Sequence, residues 1–429
     1  MEPDTDVVVV GAGLAGLAAA GRLCRAGLGV VVCEAEDHIG GRVRTDRVDG
    51  FLLDRGFQVF LPAYPEARRM FDLTALELRP FVRGAVAVTE SSRYRLVPPW
   101  RQHGVAEVIG DVARFAARHP GDAAVLAALS LRAAIAPNAA LRRGSAEHSI
   151  ALELSRWRVS PSVVDEVLRP FLAGVFLDPE LRTSARMFHL IWRSFLRGGG
   201  ALPRTGMQAL PDQLALALPS GTIRTGCAVD EVFDGGVRLA DGEVLRTRAV
   251  LVATDGSTAA RLLSQVAEPA WHGVTTWYFA APNSPLNDPV LMLDSRRDLL
   301  VNTAVLSDVA ADYAPPDAAL VAASVPDQIV DTSNGDDVEQ RLRARLSEMY
   351  QQDTREWTLV KRYPIAHALP VMPPHHPLRQ PVRLGAGRYV CGDHRDTSSI
   401  QGALVSGRRA ADAIRHDLHA GGHRTSSTT

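Results

Sequence analysis

The residues best suited to chemistry stand far apart in this sequence. They are Gly11, Gly13 and Gly16 in a G-x-G-x-x-G spacing, Glu34, the block Gly40-Gly41-Arg42, and the pair Gly392-Asp393. Glycines so spaced serve a pyrophosphate. Gly11 permits a tight turn, Gly13 lets the backbone approach the phosphates, and Gly16 lets a helix lie close to a strand. The phosphates then sit at the positive N-terminal end of that helix, on free N–H groups. Glu34 follows about 20 residues later, where a carboxylate binds a ribose diol. The elements needed to hold these groups occur in order. Asp6-Val-Val-Val-Val10 reads as a buried strand, Leu14 onward as an alanine-rich helix, and Gly29-Val-Val-Val-Cys-Glu34 as the second strand of a βαβ unit. The spacing alone is weak; strand, helix and acid together predict a dinucleotide site.

Three further stretches narrow the dinucleotide to FAD. In Glu34-Ala-Glu-Asp-His-Ile-Gly40-Gly41-Arg42-Val-Arg44-Thr45, paired glycines let the backbone lie against the cofactor. The guanidinium forks of Arg42 and Arg44 suit pyrophosphate or the flavin edge. A strand–turn–strand block ends at Val250-Leu-Val-Ala-Thr254, and Val229 within it is placed to give adenine backbone hydrogen bonds. In Val390-Cys-Gly392-Asp393 and the following Ser399-Ile-Gln-Gly402, the Asp393 carboxylate suits a ribityl hydroxyl. The helix opening near Gln401 and Gly402 would aim N–H groups at the pyrimidine edge and stabilise the anionic reduced ring.

At 429 residues the chain is long enough for two or three cores, so two domains are expected. With 46% hydrophobic residues, 22% charged residues and a net charge of −1, nothing electrostatic favours nucleic acid or an acidic polymer as partner. Cys24, Cys33, Cys227 and Cys391 form no C-x-x-C pair, and free thiols in a reducing cytoplasm are the simplest account. No basic n-region precedes the first strand, and no run of about 18 uncharged apolar residues occurs. Neither a signal peptide nor a spanning helix is therefore expected. Residues 1–85, 205–268 and 385–420 read as three pieces of one FAD-binding domain. Between them, 86–204 reads as largely helical, with helices over 105–116, 122–136, 149–157, 162–168 and 183–196. Residues 269–384 read as the sheet part of a substrate domain. Separate strands are predicted over 244–247 and 248–254, and the tail 421–429 is expected to be disordered.

Together these residues resemble the flavin amine oxidase superfamily, most closely its phytoene desaturase and protoporphyrinogen oxidase-like branch. Leu53-Asp54-Arg-Gly56-Phe-Gln58, the stretch from Arg169 to Leu181, and Leu202-Pro-Arg-Thr-Gly206 through Pro211 look like that branch too. The resemblance implies an α/β fold. A Rossmann-like FAD-binding domain of glutathione-reductase type would be interleaved with a mixed α+β substrate domain containing a large helical part. Carried onto this chain, it implies cofactor contacts from Gly11, Gly13, Leu14, Ala15, Gly16, Glu34, Ala35, Gly40, Gly41, Arg42, Arg44, Gly56, Phe57, Val229, Ala253, Gly392, Asp393, Ile400, Gln401 and Ala403. A substrate cavity would lie beneath the helical part. Only one G-x-G-x-x-G lies between a strand and a helix, whereas reduction by NAD(P)H on a separate domain would usually show a second. Oxygen, a quinone or another carrier is the expected electron acceptor.

Hydride transfer to flavin N5 needs a C–H bond held over the ring in a pocket that excludes water. It needs few acid–base groups if the substrate is a hydrocarbon. The alanine- and leucine-rich middle suits an apolar cavity and a surface that could rest on a membrane; equally, these helices could simply bury their own core. In amine-oxidising relatives a lysine of the substrate domain reaches N5 through a water. The matching region here, Trp277 to about Asn302, has none, and Lys361 is the only lysine in the chain. That counts against an amine oxidase without excluding one. Candidate polar groups near the flavin are Tyr363, His367, His394 and Asp396, although helix capping is the plainer role for the last two. Arg55 could bind an acidic substrate group or serve as a surface charge. His375-His376 lacks a spaced partner, and no metal is expected.

The leading expectation is an FAD-dependent dehydrogenase or desaturase acting on a hydrophobic, isoprenoid- or carotenoid-like substrate. Alternatives are an oxygen-using oxidase of an amine or porphyrinogen, a redox-neutral flavin-dependent isomerase, and a non-catalytic prenyl-binding escort. The intact glycine turn, Glu34 and Gly392-Asp393 argue against the escort.

Overall fold

The computed structural model describes residues 3–90, 92–96, 115–137, 141 and 148–425. Strand Thr5–Val10 lies between Val30–Cys33 and the later half of Val244–Val252, parallel to both. Ile223–Arg224 extends this sheet on one side and Arg388–Val390 on the other. Val7 to Val10 are buried one after another, the continuous apolar run of a parallel strand covered on both faces. Helix Leu14–Cys24 supplies one cover through Leu14, Leu17, Ala18 and Leu23. The final helix, Ile400–Thr425, crosses close to it. Gly407 permits that crossing, because a Cβ there would collide with the Ala15 carbonyl oxygen. Gly16 sits likewise against the Gly11 carbonyl, so it sets the helix–strand spacing.

The two strands predicted over 244–254 are one strand, Val244–Val252. Its first half pairs antiparallel with Gly236–Leu239, and its second half joins the parallel sheet. The polar pair that suggests a break is absorbed locally. Thr247 donates its hydroxyl to the Ala249 carbonyl at 3.1 Å, and Arg248 meets Asp6 at 2.9 Å.

A second sheet has the strand order Thr358–Pro370, Trp271–Ala281, Ala319–Pro326, Asn302–Val305, Leu291–Asp294, Ala85–Val88 and Arg93–Leu96. Period-two alternation divides its side chains. Trp277, Phe279, Val321 and Ala323 pack with Val338, Leu342, Leu346 and Met349 of helix Gly335–Tyr350. Tyr278, Leu320 and Ala322 face the hairpin formed by Thr45–Val48 and Phe51–Asp54. Ala85–Val88 and Arg93–Leu96 belong to this sheet although the sequence reads as helical from 86; at four residues each they are too short to declare a period.

Helices Pro120–Ile135, Ile150–Arg156, Arg169–Phe176 and Ala185–Gly198 form the helical part. A π-turn at Val164–Leu168 interrupts the helix predicted over 162–168 and feeds Arg169–Phe176. The helix predicted over 105–116 lies outside the described residues except at its last two positions. The final helix continues to Thr425, past the expected start of a disordered tail, and 426–429 lie outside the described residues.

Candidate active site

One continuous cavity of about 1520 Å³ opens between the parallel sheet, the second sheet and the helices. Its first half is built from backbone. Gly11, Gly40, Gly41, Gly56 and Gly392 line it with φ values of 102°, 115°, 60°, 90° and 146°, in the region that favours glycine. Gly13, at the N-terminus of the first helix, bridges to Gly40, and a Cβ at Gly13 would meet nothing within 4 Å. Such a side chain would stand in the groove itself. The first turn of this helix carries no acidic residue, so its positive end is free for phosphate.

Glu34 is held at one end of the groove. Its carboxylate accepts the Ala12 N–H at 2.7 Å and the Glu36 N–H at 3.0 Å, beside Ala35, Cys227 and Val229. At the other end Arg42 donates to Asp393 at 2.6 Å and to the Ala368 carbonyl at 2.9 Å, and lies 5.5 Å over the Trp271 ring. Burial works against the Arg42 charge, but the adjacent Asp393 carboxylate outweighs it and raises its pKa. Ser406 of the final helix accepts the Gly392 N–H at 2.9 Å and so holds the turn before Asp393. These residues fit FAD. A groove without side chains lies at a helix N-terminus, with one carboxylate at the ribose position and a second for the ribityl chain.

All the sequence-predicted cofactor residues line this cavity except Gly16 and Gln401. Gly16 acts behind it through packing, as above. The Gln401 side chain turns away and accepts the Glu66 N–H at 2.9 Å.

The catalytic candidates divide differently. Only His367 lines the cavity, stacked on Trp271 with ring centroids 4.9 Å apart. Tyr363 lies beneath the 45–54 hairpin. Its hydroxyl donates to Asp46 at 2.7 Å, and burial together with that carboxylate raises its pKa. Asp396 anchors the final helix, accepting from Arg409 at 3.1 Å and from the Thr397 N–H at 3.0 Å. His394 is buried beside Gly256 and Gly392, and burial lowers its pKa to about 4, so it is neutral near pH 7. Asp393–Arg395 form a 3₁₀ turn, in which successive side chains diverge by about 120°. Asp393 therefore faces the cavity and His394 does not. Lys361 also misses it: its ammonium sits 3.7 Å from Asp46 and 5.1 Å over the Tyr363 ring. Arg55, which lines the cavity, pairs with Asp46 at 3.2 Å.

Other lining residues were not foreseen. Asp255 caps helix Gly256–Leu262 by accepting from the Ser257 and Thr258 N–H groups. Its Asp-Gly-Ser-Thr signature directly after a strand is readable in the sequence. Thr276, Ser324 and Asn302, on three adjacent strands, carry no local signal at all. Among the described residues no cluster of three or more His, Cys, Asp or Glu side chains suits a metal, and no helix is long and apolar enough to cross a membrane.

The description "flavin containing amine oxidoreductase" is matched over residues 14–415. The chain belongs to that family. Members of that family are flavin-containing, so FAD is the cofactor, and membership speaks for an oxidoreductase over an escort. Coproporphyrinogen III oxidase of Propionibacterium freudenreichii subsp. freudenreichii is 26% identical over 320 residues, covering 60% of this chain and 58% of that protein. Putrescine oxidase of Kocuria rosea is 47% identical over 74 residues, 17% of this chain and 16% of that one. The match thus spans less than two thirds of these relatives' own length. Cyclohexylamine oxidase from Brevibacterium oxydans IH-35A shares the fold, with a TM-score of 0.68 at 19% identity over 97% of this chain and 100% of that one.

Proposed function

We propose that this oxidoreductase takes hydride from a bulky, largely apolar substrate, with oxygen, a quinone or another carrier as final electron acceptor. The observation that carries this reading is the second half of the cavity. Beyond the glycine groove it continues into a chamber walled by Leu126, Phe171, Ile191, Trp192, Phe195 and Leu196. Phe171 packs edge-on against Trp192 and Phe195, with centroids 5.9 and 5.3 Å away, which makes that wall a continuous aromatic surface. FAD, when bound, supplies the hydride-accepting N5. The chain supplies position and an apolar surround: aromatic walls orient the substrate, Asp393 and Arg42 hold the cofactor end, and the His367 ring lies nearby. The side chain of the sole lysine, engaged by Asp46, gives no support to amine oxidation.

A porphyrinogen is the second reading. Arg55 and Arg83 line the cavity and suit carboxylates on such a ring, and the Propionibacterium relative acts by name on one. Contact with a membrane surface also belongs to the proposal. Helix Pro120–Ile135 lines the chamber through Leu126 and exposes Leu131 and Ile135 on its outside.

The test is anaerobic incubation of holoenzyme with phytoene, coproporphyrinogen III or putrescine, following flavin absorbance. Bleaching by either of the first two, with a product lacking two hydrogens, supports the proposal. Bleaching by putrescine alone overturns it.

A further inference from the structure

The chamber is not uniformly apolar. Thr276, Ser324 and Asn302 stand directly opposite one another on strands Trp271–Ala281, Ala319–Pro326 and Asn302–Val305. Paired residues of neighbouring strands share a face, about 5 Å apart, so these three form one polar strip across the sheet. All three line the cavity. One end of the strip is spoken for, since the Thr276 hydroxyl accepts the Phe57 N–H at 3.1 Å. The other end is not. Asn302 is 4% exposed, and its Oδ1 is buried without a hydrogen-bond partner.

The surroundings make that orphan specific. Asn302 lies against Gly174 of helix Arg169–Phe176, where any side chain would collide with its amide nitrogen. The glycine therefore keeps the space that the amide occupies. Leu293, which pairs with Asn302 on the next strand, also lines the cavity and offers no donor. Asp294, the adjacent acid, is engaged by Arg345 at 2.7 and 2.9 Å. The strip itself is uncharged. Buried amide oxygens in folded proteins are almost always paired, and here the unmet acceptor belongs to a residue of the substrate chamber.

We infer that Asn302, with Ser324 beside it, is a specificity-determining contact that reads a neutral hydrogen-bond donor on an otherwise apolar substrate. The donor is an O–H or N–H, and a pure hydrocarbon leaves the oxygen unpaired. An ammonium is disfavoured because the strip carries no negative charge. This rests on the apolar-substrate reading and sharpens it.

The test uses FAD-loaded enzyme and a matched pair of probes, geranylgeraniol and its methyl ether, which differ in whether the oxygen can donate. Binding is read as perturbation of the flavin spectrum. Wild type should bind the alcohol about tenfold more tightly than the ether, the preference expected of one good neutral hydrogen bond. Asn302→Ala should bring the ratio of the two Kd values close to one, and Ser324→Ala should reduce it in an independent background. Equal binding of both probes by wild type, or an unchanged ratio in N302A, overturns the inference while leaving the apolar chamber intact. Failure of both probes to bind overturns the two together. Folded N302A protein that has lost its flavin would assign the amide to the cofactor, and that also overturns the inference.

Discussion

Asp54 offers a quantitative test of how the cofactor-facing segment is held. It ends the 45–54 hairpin, is 1% exposed, and precedes Arg55, Gly56 and Phe57, which line the cavity. Its carboxylate accepts from the Thr45 hydroxyl at 2.5 Å, the Met207 N–H at 2.9 Å and the Tyr313 hydroxyl at 2.9 Å. Burial raises its pKa from 3.8 to about 6 in spite of these donors. A folded-state pKa above the unfolded value means that the folded protein binds the proton more tightly. The stabilisation is complete below pH 3.8 and is lost as pH rises through 6. The shift of 6 − 3.8 = 2.2 units, at 1.36 kcal/mol each, makes the loss about 3 kcal/mol.

Asp54→Asn removes the titration while keeping a carbonyl for Thr45 and Met207. At about 2.1 cal/mol/K per residue, a chain of 429 residues unfolding as one unit shifts by roughly 3 °C for that energy. Melting curves of wild type and D54N, recorded from pH 4 to pH 8, should diverge accordingly. D54N gains about 3 °C on wild type across the interval, and taking the difference cancels every other titrating group. A difference that stays flat, or that moves toward wild type as pH rises, refutes the argument.

Gly13→Val should fold but come off the column colourless. Its φ of −74° accepts valine and its new Cβ meets no atom, only the groove, so flavin absorbance of the purified protein decides it. Gly407→Ala forces the first and last helices apart. Overpacking of this kind costs about 1–3 kcal/mol, read as a lower Tm and a weaker flavin Kd, and an unchanged Tm would show that the crossing has slack. Lys361→Met should leave turnover within about threefold of wild type, because a surface ion pair contributes about 1 kcal/mol or less. Collapse of kcat in K361M would instead return the lysine to the reaction.

The cofactor half was legible because its information is local. Three glycines, a run of valines and one acid lie within a single βαβ unit, and each has one geometric purpose. The substrate half is a product of tertiary contacts. Tyr363 is paired directly with Thr276, yet the hairpin covers Tyr363 while Thr276 reaches the cavity. Alternation names the face of a strand and says nothing of what covers it. Likewise Asp393 and His394 are neighbours in sequence, and only the 3₁₀ geometry separates their destinations. Asn302, Ser324 and Thr276 become neighbours only when three strands pair.

The same reasoning bears on how the two halves depend on each other. Arg42 comes from the first nucleotide-binding segment, Asp393 from the last, and Ala368 and Trp271 from the second sheet; a single guanidinium touches all three regions. Asp393 is the buried member of the pair, whereas the Arg42 side chain is 34% exposed to the cavity, so the cost of about 3–5 kcal/mol for breaking a fully buried ion pair is an upper bound here. Loss of either nucleotide-binding segment therefore strands Arg42 or Asp393 at the cofactor's edge, and loss of the second sheet takes the Ala368 carbonyl and the Trp271 ring from the guanidinium. The groove at the cofactor's edge is built jointly by both chain ends and the substrate sheet. Flavin retention thus reports on folding of both halves, and variants that loosen the second sheet should lose colour although they touch no cofactor residue.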